Sequence, residues 1–108
     1  MTTVTYDRKY CTLKVSGHAG AAPAGEDVVC AGISSLVRTL IQAVTDTPEY
    51  QAGIYMGDGD VEISCVPEEA YEEKCRYLLD VFYGGLKLMA ELGPEYITVK
   101  EESKYGDH

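Results

Sequence analysis

The sequence predicts one α+β domain in two layers: a mainly antiparallel sheet with two helices packed on it, in the order ββαββαβ. Three observations carry this reading. The 108 residues, 45% of them hydrophobic, suit a single domain over 1–108 with one modest core. Two long stretches repeat apolar residues at helical spacing. The other apolar runs are short, alternate with polar residues and are joined by tight turns, so hairpins dominate the connections.

Thr2 to Asp7 and Tyr10 to Ser16 read as two strands joined by a turn around Arg8-Lys9. In the second, Cys11, Leu13 and Val15 alternate with Tyr10, Thr12, Lys14 and Ser16, which predicts one buried face. An irregular loop from Gly17 to Glu26 follows. A first helix is predicted from Asp27 to Val44, with Val29, Ile33, Leu36, Leu40 and Val44 on one stripe. Gln51 to Met56 and Asp60 to Val66 read as a hairpin, in which Gly57-Asp58-Gly59 supplies the positive φ of the turn. Pro67 ends its second strand. A second helix is predicted from Glu68 to Leu92, with Glu68, Glu69, Glu72 and Glu73 at its positive end. Its expected apolar stripe is Tyr71, Cys75, Leu78, Phe82, Gly85 and Met89. Gly93-Pro94 stops it, and Tyr96 to Lys100 reads as the last strand.

Composition narrows the function classes. No apolar run approaches the ~20 residues of a membrane span, and the opening MTTVTYDRKY has no apolar signal region. These features predict a cytoplasmic protein with its four cysteines reduced and no membrane partner. The net charge of −9, without a basic patch, disfavours direct nucleic-acid binding. An acidic surface suits a basic partner, although solubility alone is an equally good account of it.

The stretch SGHAGAAPAGEDVVCAGIS, Ser16 to Ser34, carries the chemistry. His18 ends a strand and Cys30 opens a helical run, with a loop of small residues between them. Such an arrangement can hold an imidazole against a thiol, the minimum apparatus of thiolate catalysis. Asp27 is the expected N-cap, with Gly25 or Glu26 as alternatives; any of them would set Cys30 in the first helical turn, where unpaired N–H groups and the helix dipole favour an anion. Asp27 has a second reading, as a group that orients His18 by the logic of triads. Cys30 lies about 100° around the helix from Val29, at the border of the apolar stripe, where partial exposure is expected. Ser34, one turn further along that edge, either hydrogen-bonds near Cys30 or bonds back into its own helix. Cys11, Cys65 and Cys75 share apolar faces and are expected to be core residues. His108 is incidental. Widely separated cysteines without a Cys-x-x-Cys pair disfavour zinc, and Gly57-Asp58-Gly59-Asp60 lacks the spacing of an EF-hand loop, so no metal or other cofactor is expected.

The pattern Gly17-His18-Ala19, a short loop, then Gly25-Glu26-Asp27-Val28-Val29-Cys30-Ala31-Gly32-Ile33-Ser34 resembles the ribosomal-processing cysteine proteases of bacteria. The resemblance covers nearly the whole chain. It implies that His18 and Cys30 are the catalytic pair. It also implies that the substrate is the N-terminal extension of large-subunit ribosomal protein twenty-seven, cut after an aromatic residue. A homodimer is implied too, and nine tyrosines without a tryptophan fit aromatic surface to be covered. Ala21 stands where the family commonly has an aromatic, and Gly32 where it commonly has alanine.

The reading is therefore a cysteine endopeptidase; the rival is a non-catalytic adaptor that docks on a basic ribosomal protein. The small residues from Ala19 to Glu26 further suggest a loop that closes on substrate and brings His18 to Cys30.

Overall fold

A computed structural model describes residues 1–17 and 24–102, the side chains of 24–27 excepted. The elements are β1 (Thr2–Asp7), β2 (Thr12–Ser16), α1 (Ala24–Thr45), β3 (Ala52–Gly57), β4 (Asp60–Cys65), α2 (Glu72–Leu92) and β5 (Ile97–Glu101). Short 3₁₀ turns at Pro48–Tyr50 and Glu69–Tyr71 precede β3 and α2. The element order is the predicted one.

The five strands form one sheet in the order β3-β4-β2-β1-β5. The pairs β1–β2, β2–β4 and β3–β4 are antiparallel, and β1–β5 is parallel. The parallel pair follows from connectivity. Each helix carries the chain over the sheet to a non-adjacent strand running the same way, the ordinary βαβ crossover. So the sheet is mainly antiparallel, as expected, but mixed.

Register sets one face inward. Val4 pairs with Val15, Tyr6 with Leu13, Leu13 with Ile63 and Thr2 with Ile97. All of these are buried. The helices cover this face with Val29, Ile33, Val37, Leu40 and Val44 of α1 and Cys75, Leu79, Tyr83 and Leu86 of α2. The opposite face, with Thr5 against Lys14 and Lys14 against Glu62, carries no helix among the described residues.

Both helical stripes differ slightly from expectation. In α1, Val37 takes the buried place expected for Leu36, whose methyls instead turn to Gly85 of α2. In α2 the buried line runs through Leu79, Tyr83 and Leu86, while Leu78, Phe82 and Met89 are half-buried. A helix with two apolar neighbours, the sheet and α1, has a wider apolar arc than one stripe describes. Tyr83 belongs to the core because its ring packs 4.6 Å from that of Tyr6.

The segment Val28–Thr45 has a mean hydropathy of 1.6, enough by length and composition to cross a membrane. Its apolar stripe packs on the sheet instead, and Ser35, Arg38, Thr39 and Gln42 face outward.

One polar tie fastens α2 to β1. The Tyr6 hydroxyl, on a ring only 1% exposed, donates to Asp80 Oδ1 at 2.6 Å. Arg8 Nε pairs with the same carboxylate at 3.1 Å from the solvent side. Burial and the neighbouring carboxylate both push the Tyr6 hydroxyl's pKa up, so it stays protonated as the donor. Tyr6→Phe is expected to lose about 1–2 kcal/mol, read as a lower urea midpoint at unchanged slope. An unchanged midpoint would show that water replaces the bond without cost.

Candidate active site

The end of β2 and the body of α1 frame the site. Gly17, directly after β2, has φ 89°, and a Cβ there would collide with the Met1 carbonyl oxygen. Only glycine satisfies both conditions. Its N–H donates to the Gly59 carbonyl at 2.8 Å, tying the strand end to the β3–β4 turn. Gly59 supplies that turn's positive φ, 78°. The chain is therefore fixed immediately before His18. His18 itself and residues 19–23 of the expected closing loop lie outside the described residues, while Ala24 to Glu26, expected in that loop, are helical.

α1 begins at Ala24, three residues before the expected cap, which corrects the local reading of Asp27. Asp27 is a helical residue and not the residue that starts the helix; its side chain lies outside the described residues. Cys30 consequently stands beyond the first turn. The dipole effect, concentrated in that turn, contributes less at Cys30 than the sequence suggests. The earlier start follows from Ala24, Gly25 and Glu26 continuing into the helix without a break.

Cys30 is half-buried, at the border of the α1 stripe as expected, and it lines a cavity of about 330 Å³. Ser34, one turn on, lines the same cavity, as does Arg38 a turn further. Ile33, Val37 and Ile41 form an apolar wall from α1. Met56, Gly57, Gly59, Asp60 and Val61 of the β3–β4 hairpin close the other side, with Thr2, Val15 and Gly17 also in its lining. The structure thus brings Cys30 and Ser34 to one cavity together with Gly17, the neighbour of His18.

Arg38 and the hairpin were not singled out by the sequence. Arg38 was legible, being two turns from Cys30 along the same helical edge. The hairpin was not, because only the order β4 beside β2 brings it to the site.

The other three thiols are core residues. Cys11, Cys65 and Cys75 are at most 3% exposed. Burial pushes all three thiols up, which keeps them protonated and inert. Brief treatment of the folded protein with iodoacetamide is therefore expected to label Cys30 first. Faster labelling of Cys11, Cys65 or Cys75 would refute that assignment.

Gly32, on α1, lies under the second helix. A Cβ there would meet the end of the Met89 side chain, which packs over it from α2.

A mixed five-stranded sheet with two helices on one face, and a half-buried helical cysteine beside a cavity, can be compared with known proteins. No curated protein matches the chain. Among solved structures, ribosomal processing protease Prp from Staphylococcus aureus, with a covalently linked product peptide, has a TM-score of 0.77 at 23% identity, covering 94% of this chain and 100% of that one. The same protease with a substrate peptide has a TM-score of 0.76 at 20% identity, covering 94% and 97%. SMU.848 from Streptococcus mutans has a TM-score of 0.72 at 27% identity, covering 93% and 90%. The cysteine protease Prp family matches residues 1–98, nearly the whole of the fold just described, so the chain belongs to the Prp family of ribosomal-processing cysteine proteases.

Proposed function

We propose that this protease removes the N-terminal extension of large-subunit ribosomal protein twenty-seven, with Cys30 as nucleophile and His18 as general acid and base. The observation that carries the reading is the cavity bounded both by Cys30 and by Gly17, the residue before His18. Family membership selects a peptidase over an adaptor.

In this mechanism the Cys30 thiolate attacks the scissile carbonyl and forms an acyl-enzyme. His18 protonates the departing amine, then takes a proton from water as that water releases the acyl group. Helical side chains lean toward the helix N-terminus, so the thiol of Cys30 lies over the preceding turn. The four N–H groups of a helix's first turn lack helical partners, here those of residues 24–27. They would serve as donors to an oxyanion formed on the Cys30 adduct. Asp27 would hold the His18 imidazole in its productive tautomer. Ser34 would hydrogen-bond near the thiol.

The cavity suits the side chain on the acyl side of the cut. Its walls are largely apolar, and about 150 Å³ is enough to enclose a benzene ring. At about 330 Å³ it has room for an aromatic residue. The S. aureus enzyme's substrate and product peptides support a ribosomal protein as the partner. The charge of −9 favours encounter with a basic one. A ribosomal substrate also accords with a cytoplasmic location, and a homodimer belongs to the same reading. The test is incubation with the extended ribosomal protein and mass analysis of the products. One cut after an aromatic residue, lost with Cys30→Ala, is expected; an intact substrate would refute the proposal.

A further inference from the structure

Arg38 is the one cation of α1. From Ala24 to Thr45 the only other charged residues are Glu26 and Asp27, both in the first turn. Three and four residues from Arg38 on either side stand Ser34, Ser35, Ile41 and Gln42, so no carboxylate of its own helix answers its charge. Nor does its place complement the helix dipole, because seven residues follow it to Thr45. Its exposed side chain stands at the edge of the cavity that holds Cys30, beside the apolar wall of α1. The other charged residue of the lining, Asp60, alternates with Val61 along β4 and so shares the open face of the sheet with Glu62. Among the described residues Arg38 is thus the one charged side chain left to the cavity.

We infer that Arg38 reads the third substrate residue before the cut and selects a side chain that accepts hydrogen bonds, through a carboxylate or an amide oxygen. The inference rests on the proposed seating of the acyl side in this cavity. Arg38 lies two turns beyond Cys30, about 12 Å along the helix axis. Helical side chains lean toward the N-terminus and cover the turn before their own, which brings the guanidinium to the level of Ser34, about 6 Å from Cys30. An extended chain advances about 3.3 Å per residue, so the residue held over Cys30 and the one two places before it span that gap. Side chains of an extended chain alternate, so these two point the same way and the one between them points away. The residue at the cut enters the apolar part of the cavity, and the third meets the guanidinium. Its planar fork of donors fits a carboxylate or amide oxygen and repels a lysine or arginine. The two charge effects then act in sequence. The net charge of −9 draws a basic partner to the protein, and Arg38 keeps its basic segments out of the cavity.

Binding to the Cys30→Ala protein tests this without reference to cleavage. The probes are fluorescein-labelled alanine peptides with a single phenylalanine, carrying glutamate, glutamine, leucine or lysine two places before it. The glutamate peptide is expected to bind about tenfold tighter than the lysine peptide, with glutamine between them, and high salt is expected to narrow the ratio. Adding Arg38→Glu is expected to invert the order, and Arg38→Gln to flatten it. Both substitutions fall at an exposed helical position, and the far-ultraviolet spectrum is expected to stay unchanged. Moving the variable residue next to the phenylalanine, where its side chain points away, is expected to erase the difference. Equal affinities, an order that Arg38→Glu leaves standing, the same discrimination at the neighbouring place, or no binding by any peptide would each overturn the inference. Charge-dependent binding with no cleavage by the protein that keeps Cys30 would remove the peptidase reading alone.

Discussion

On the proposed mechanism, Cys30→Ala and His18→Ala are each expected to slow cleavage of the ribosomal extension by about 10³-fold or more, because each removes half of a dyad that works only as a whole. The double variant is expected to lose no more than either single one. Strict additivity would mean that the two side chains act independently, and normal cleavage by either folded variant would remove the dyad. Stability should barely change in Cys30→Ala. The thiol is half-buried at the border of the α1 stripe, away from the fully buried Leu40 and Leu79. A urea midpoint measured beside the rate separates loss of chemistry from loss of fold. The helix start at Ala24 sharpens this prediction. In the proposed dyad, Cys30 beyond the first turn draws less help from the helix dipole and depends more on His18. Cys30 in His18→Ala is therefore expected to alkylate more slowly than in the wild type at neutral pH. Equal rates would show that the helix alone supplies the reactive form.

Local signals carried most of the fold. The alternation of Leu13 and Val15 marked which face of β2 is buried, and Asp58-Gly59 marked the hairpin turn; Cys11, expected in the strand, is buried but precedes it with φ 50°. These rest on neighbours in the chain. The parallel β1–β5 pair and the position of β4 beside β2 rest on where two crossovers deliver the chain, which no local pattern encodes. The same limit governs the site. Cys30 and Ser34 share a helical edge and were legible together. Met56, Gly57 and Asp60 reach the cavity only through strand order. Asp27 was misread as the helix start because a good capping residue also occurs inside helices, and Ala24-Gly25-Glu26 gives no stop signal. In α2 the misplaced stripe has another cause. Phe82 and Leu78 are more apolar than Tyr83, yet Tyr83 is the more buried because its ring packs against that of Tyr6.

Narrowing the cavity is expected to change which peptides are cut. Ile41 is half-buried on the apolar wall from α1, two turns past Ile33, and it lines the cavity without carrying the central core. Ile41→Trp would fill part of the roughly 330 Å³ that an aromatic substrate residue would occupy. Steric exclusion from an apolar pocket changes discrimination by about 10–200-fold, so kcat/KM for a peptide with phenylalanine before the cut is expected to fall by that order. A matching peptide with alanine or valine there is expected to lose much less, so the preference between the two inverts or collapses. The rate of Cys30 alkylation is expected to stay at the wild-type value, because the substitution leaves the thiol and its helix as they were. That control distinguishes a blocked pocket from a damaged nucleophile. A uniform loss across peptides with slower alkylation would mean that Ile41 supports the position of Cys30 and does not read the substrate. An unchanged preference with normal alkylation would mean that the aromatic residue binds elsewhere on the protein.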